Sequence, residues 1–91
     1  MSDPWDPEKA ETNLRKHGVG FPEATTVDED EHGWTREDVP HSTSEQRYRV
    51  VGISELGRVL PVVCTYRHGR MRPISARRAT KRERHEYWSR R

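Results

Sequence analysis

Cysteine is nearly missing: the 91 residues hold one, Cys64, so no disulfide can form within the chain. A lone thiol in the apolar run Leu60-Pro61-Val62-Val63-Cys64 reads as a buried structural residue rather than a nucleophile. Apolar residues are scarce as well, at 30% against 35% charged, which excludes a thick core. One thin-cored domain over 1–91 is expected, with room for a partner protein to add stability. No apolar stretch approaches membrane-spanning length and no signal peptide is recognisable. The chain is therefore expected to be cytoplasmic, with no membrane partner. Glycines are scattered, without a phosphate loop or dinucleotide fingerprint, and no cofactor is expected. His17, His32, His41, His68 and His85 form no i, i+4 pair with another ligand, so no metal is expected either.

Charge, by contrast, is plentiful and unevenly spread. Residues 67–91 carry ten Lys/Arg against Glu83 and Glu86, whereas residues 1–46 carry twelve Asp/Glu against four Lys/Arg. The formal net charge of +2 hides an acidic front half and a strongly cationic back quarter. Such a cluster suits a polyanion, because each phosphate it neutralises releases counterions. Charge alone leaves a solvated basic helix equally open.

Local patterns predict the elements. Asp6 as N-cap, Pro7 at the first helical position and Gly18 as a stop predict a helix over 7–17. Ala10, Leu14 and His17, at i, i+4, i+7, predict its buried stripe, and Trp5 is placed to staple onto Ala10. Phe21-Pro22-Glu23-Ala24 opens a short second helix ending near Val27. The polar segment 28–46 is expected to be partly irregular, with a short strand around Trp34. Strands follow at 47–54, 58–67 and 70–76, and Pro61, unable to donate, should face an edge or a bulge. His68-Gly69 makes a two-residue turn. Thr80-Lys81-Arg82-Glu83 is a capping box that starts a last helix running to about Ser89. The fold class is α+β: two N-terminal helices, a small antiparallel sheet of three to four strands and a C-terminal helix.

A two-residue hairpin at 68–69 sets Arg67 opposite Arg70 and Thr65 opposite Arg72. Alternation then gathers Arg67, Arg70 and Arg72 on one face, an unfavourable grouping of like charge unless an anion lies between them. Arginines splayed into water at an exposed tip are the alternative. Arg77 and Arg78 follow at the start of the last helix, where the helix dipole also attracts anions. Without metal or cofactor, chemistry falls to His, Glu, Tyr and Arg. That set suits cleavage of RNA, in which the 2′-hydroxyl attacks its own phosphate while the protein moves protons and stabilises charge. His17 is a candidate acid or base, although a histidine at a helix end also serves as a cap or packing residue. Glu83 is accounted for by the capping box, and Tyr87, one turn on, by core packing or stacking.

An ordered series of residues adds to this. Trp5-Asp6-Pro7, Lys9, Asn13, Lys16-His17-Gly18-Val19 and Phe21 open it. His41-Ser42, Glu45, Arg47-Tyr48, Gly52, Ser54, Gly57-Arg58, Thr65 and Arg67 continue it. Ile74-Ser75-Ala76-Arg77-Arg78-Ala79, Glu83-Arg84 and Tyr87 complete it. The series resembles BrnT-type toxins of bacterial type II toxin–antitoxin pairs over nearly the whole chain, apart from Val27 to Pro40. The resemblance implies a RelE-like fold and a metal-independent endoribonuclease that cleaves RNA and inhibits translation. It also implies neutralisation by a BrnA-like ribbon-helix-helix antitoxin, through which the complex binds operator DNA. Carried onto this chain, it implies catalytic roles for His17, Arg47, Arg67, Arg77 and Tyr87. Lys9, Lys16, Arg70 and Arg78 would contact RNA, joined by Arg72 from the hairpin. Pro61 and Pro73 depart from the aliphatics usual in the family, and 28–40 is unusually acidic. Two other classes stay open. A non-catalytic nucleic-acid-binding regulatory module would bind in a salt-dependent way and leave RNA intact. A protein-interaction scaffold would use the acidic front half to capture a basic protein.

Overall fold

Helix α1 (Pro7–His17) starts and stops on its local signals. The Asp6 carboxylate accepts from the Glu8 N–H, and Gly18 ends the helix in the left-handed region at φ 67°. The computed structural model describes residues 4–42 and 44–90. α2 (Phe21–Thr25) is shorter than the sequence suggests, because the chain tightens into a 3-10 turn over Thr26–Glu29. Trp5 packs edge-on against Phe21, with ring centroids 6.0 Å apart. Four strands follow: β1 (Trp34–Glu37), β2 (Tyr48–Ile53), β3 (Val59–Arg67) and β4 (Arg70–Ala76). They form one antiparallel sheet in chain order, and α3 (Lys81–Ser89) closes the fold. Between β1 and β2 the polar segment holds a 3-10 turn at Val39–His41.

The β3–β4 turn has both central residues in the left-handed region, His68 at φ 53° and Gly69 at φ 76°. Those angles give the twist that two strands need to pair directly. Arg67 accordingly pairs with Arg70, and Thr65 with Arg72. The prolines sit where a ladder can spare a donor. Pro73 stands opposite Cys64, beside the register shift between Val63 and Cys64, on the outermost strand. Pro61 lies one residue past the last β3–β4 pair, Val62 with Ala76, and its carbonyl accepts from the Arg77 N–H at 3.3 Å.

Alternation along β2 and β3 sends Val50, Leu60, Val62 and Cys64 to one side. There they pack with Val19, Ala24, Val27, Met71 and Ala76 to make the main core. Each fully buried aliphatic of this kind contributes about 1.5–3 kcal/mol. On the other side Val51 and Val59 meet Ala79 and Tyr87, with Trp34 and Ile53 partly covered. Glu23 ties the main core to the chain around it. Buried to 6% exposure, it accepts from Ser54 Oγ at 2.6 Å and Arg58 Nε at 2.9 Å. The Arg58 guanidinium holds the Glu23 carboxyl below its usual pKa range.

The expected stripe of α1 is not the buried one. Leu14 is 55% exposed and His17 is exposed, whereas Asn13 is buried to 5%. α1 lies against the edge of β4, where backbone groups need polar partners rather than apolar cover. Asn13 supplies them. Its Oδ1 accepts from the Ala76 N–H at 3.0 Å, and its Nδ2 donates to the Ala76 carbonyl at 2.8 Å and the Val19 carbonyl at 2.9 Å. An apolar periodicity count passes over an amide doing the work of a neighbouring strand.

Candidate functional site

α3 covers only part of the second face of the sheet, around Val51 and Val59. The remainder carries arginines. Arg36 pairs with Arg49, Arg49 with Val63, Thr65 with Arg72 and Arg67 with Arg70. All of these point away from Leu60, Val62 and Cys64 by strand alternation. Arg47 extends the same ladder, its carbonyl accepting from the Asp38 N–H at 2.7 Å, and so falls on the side of Arg49. Arg77 reaches this face from the segment after β4. Gathering so many cations on one sheet face is unfavourable in isolation.

Carboxylates sit among them: Glu45, Glu83 and Glu86, the last lining a hollow with Arg36, Arg49 and Glu83. Glu83 is the capping-box acid of α3, accepting from the Thr80 N–H at 2.8 Å. It also takes Arg77 Nη1 and Nη2 at 2.7 and 2.9 Å, and Arg49 Nη2 at 2.7 Å. The Arg77 guanidinium, assisted by the Thr80 N–H, pulls its pKa down to about 2. Arg49 Nε is buried without a hydrogen-bond partner among the described residues, an arrangement that costs about 1–3 kcal/mol. Glu45 lies beside Arg67, with Nε at 3.2 Å and Nη2 at 3.3 Å. Arg47, Arg70, Arg72 and Arg78 form no ion pair among the described residues.

His17 stands elsewhere. With Lys9, Lys16, Thr12 and Asn13 it lines a cleft of about 420 Å³ between α1 and the outer edge of β4. None of the arginines lines that cleft. Its far wall is Ile74 and Ser75, and Ser75 pairs with Val63, on the arginine side of β4. Ser75 is thus common to both features.

Tyr87 is held in the second core at 1% exposure, and its hydroxyl donates to Asp30 Oδ2. Asp30 also accepts from the Ile53 N–H at 2.8 Å, so it fastens α3 to β2. Burial pushes the Asp30 carboxyl up, but the bonds from Tyr87, Ile53 and His32 outweigh it and leave the pKa lowered. Gly52 permits this approach: a Cβ there would lie 2.8 Å from the Val27 carbonyl oxygen. Cys64 is fully buried, and burial pushes its thiol up to about 12, away from nucleophilic use. Among the described residues no three of His, Cys, Asp and Glu are grouped to hold a metal ion. No helix among them is long and apolar enough to cross a membrane.

A family model described as the ribonuclease toxin, BrnT, of type II toxin–antitoxin systems matches residues 5–83. The chain belongs to the BrnT family. No curated protein sequence matches it. Among solved structures, that of the Brucella abortus ribonuclease toxin, BrnT, has a similar fold, with a TM-score of 0.61 at 20% identity. The likeness covers 85% of this chain and 94% of that one. Membership in the BrnT family makes this a ribonuclease toxin of the type II toxin–antitoxin class.

Within this BrnT-family fold, Arg47, Arg67, Arg70, Arg72 and Arg77 share a face, while His17, Lys9 and Lys16 line the adjoining cleft. Arg78 is exposed near the other end, where it lines a hollow with Arg58, Arg84 and Trp88. Arg49 stands in the middle of the arginine face and was not among the residues singled out from sequence. Period-two alternation with Arg47 in Arg47-Tyr48-Arg49 was the available signal.

Proposed function

We propose that the chain is an endoribonuclease that cleaves RNA and so inhibits translation in the cytoplasm. The supporting observation is the part of the sheet outside the α3 contact, where Arg47, Arg67, Arg70, Arg72 and Arg77 share one face and, among the described residues, only Arg67 and Arg77 of these five are ion-paired, to Glu45 and Glu83. Such a face binds a polyanion because each guanidinium offers a planar pair of donors to phosphate. In this reading RNA lies across the β3–β4 hairpin, and Arg67 and Arg77 stabilise the charge that develops on phosphorus. His17, Lys9 and Lys16 flank the strand from the cleft, with His17 moving the proton at the 2′-hydroxyl or the leaving oxygen. No step calls for a metal ion. Tyr87 has its hydroxyl on Asp30, and we assign it the task of holding α3 in place. The chain acts as one RelE-like domain. Its regulation follows the family pattern: a BrnA-like ribbon-helix-helix antitoxin neutralises it and carries the complex to operator DNA.

Removing one well-placed cationic donor lowers such a rate by roughly 10²–10³-fold. Purified chain given a structured RNA in the presence of EDTA should release fragments ending in 2′,3′-cyclic phosphate. The double substitution Arg67→Ala with Arg77→Ala should abolish this and relieve growth arrest on expression. Ample folded wild-type protein that leaves RNA intact would refute the enzyme.

A further inference from the structure

We propose that Arg49 is a further phosphate-binding residue of this site, paired with Arg77 as a two-guanidinium clamp, and that Glu83 is the residue that positions the pair. The inference rests on the ribonuclease reading for its substrate. Arg49 belongs to β2 and Arg77 follows β4, so a whole strand separates them in the sheet. They nevertheless meet on one carboxylate, Arg49 on Oε2 and Arg77 across Oε1 and Oε2. Two guanidiniums thus share one carboxylate, and Arg36 and Glu86 line the same hollow beside Arg49. The Arg49 and Arg77 side chains remain 42% and 40% exposed. Arg49 spends only Nη2 on Glu83; its Nη1 forms no hydrogen bond among the described residues and is not buried.

Capping explains only part of the charge on Glu83. Glutamine accepts the same N–H in a capping box, although a carboxylate also gains from the positive end of the helix. The bonds beyond capping are those to the two guanidiniums, which one carboxylate holds side by side at the start of α3. Leaving Arg49 Nε unpaired fits a side chain placed for its tip rather than for full satisfaction of its own donors.

The test separates binding from cleavage. A 2′-O-methyl oligonucleotide reports binding across a salt series, and the unmodified oligonucleotide reports single-turnover cleavage. Arg49→Ala should lower the salt slope by about 0.7, the share of one single-strand phosphate, and weaken binding at low salt. Arg49→Lys should recover the slope but not the cleavage rate, because an ammonium lacks the planar fork. Glu83→Gln keeps the cap and removes a negative charge. Its salt slope should be at least that of wild type while cleavage falls about tenfold to a hundredfold from misplacement. Thr80→Ala removes the other half of the capping box and should lower the melting temperature without that loss of rate. Arg49→Ala with wild-type slope and rate would overturn the clamp. Equal loss of rate in Thr80→Ala and Glu83→Gln would overturn the role of Glu83. Arg49-dependent binding by a wild-type chain that never cleaves would uphold the clamp and reject the enzyme.

Discussion

The face of the sheet against α2 and the 3-10 turn after it buries Val50, Leu60, Val62 and Cys64 to 2% exposure or less, whereas on the opposite face the buried apolar cluster is confined to the part beneath α3. A chain with 30% hydrophobic residues has material for one full core and part of a second. The uncovered part of the second face is made from arginines instead. An arginine can lay its apolar stem along a surface while its charged end reaches water, so such a face does not call for a further helix. The same strands thus supply stability through one set of alternate residues and a cationic surface through the other. Acidic residues divide similarly. Glu23 and Asp30 of the acidic front half hold the fold together, while Glu45 and Glu83 stand among the arginines.

If this division holds, damage to the apolar face should act on stability and damage to the arginine face on binding. Leu60→Ala should have the largest effect, lowering unfolding free energy by about 4 kcal/mol in urea denaturation, with cleavage per folded molecule unchanged. Arg58→Ala should follow at about 3 kcal/mol, because it leaves the buried Glu23 carboxylate without its partner. Acid should then probe the arginine side. Glu83 has a folded pKa of about 2 against an ordinary 4.5, so its contribution is complete above about 4.5 and is lost as pH falls towards 2. Glu23 and Asp30 are lowered in the same direction, so the difference between wild type and Glu83→Gln in melts from pH 6 to 2 isolates its share. Arg70→Ala should change stability least, within about 0.5 kcal/mol, since it faces another arginine. It should still reduce the salt slope of RNA binding by about 0.7. A large stability loss from Arg70→Ala, or a binding defect from Leu60→Ala, would break the division between the faces.

Much of the fold was legible because its signals are short-range. Asp6-Pro7 and Gly18 bound α1, His68-Gly69 turns the hairpin in register, and Thr80 with Glu83 opens α3. Each depends on a few adjacent residues whose backbone preferences leave little choice. The grouping of Arg67, Arg70 and Arg72 followed from the turn alone, because period two and a two-residue loop determine which side chains share a face.

Three features depended on partners far along the chain, and no local pattern encodes them. Asn13 is buried 63 residues from Ala76 because a strand edge needs donors and acceptors, so the stripe of Ala10, Leu14 and His17 was the wrong face of α1. Glu83 reads as a cap until Arg49, 34 residues earlier, is folded onto it. Tyr87 reads equally as core or stacking surface until Asp30 takes its hydroxyl. By itself the sequence determined where helices begin, where the hairpin turns and which arginines alternate together, since bonded neighbours dictate those. Only the tertiary structure decided which polar side chains are consumed in holding strands and helices to one another and which remain facing solvent, because that choice is made by atoms distant in sequence competing for the same hydrogen bonds.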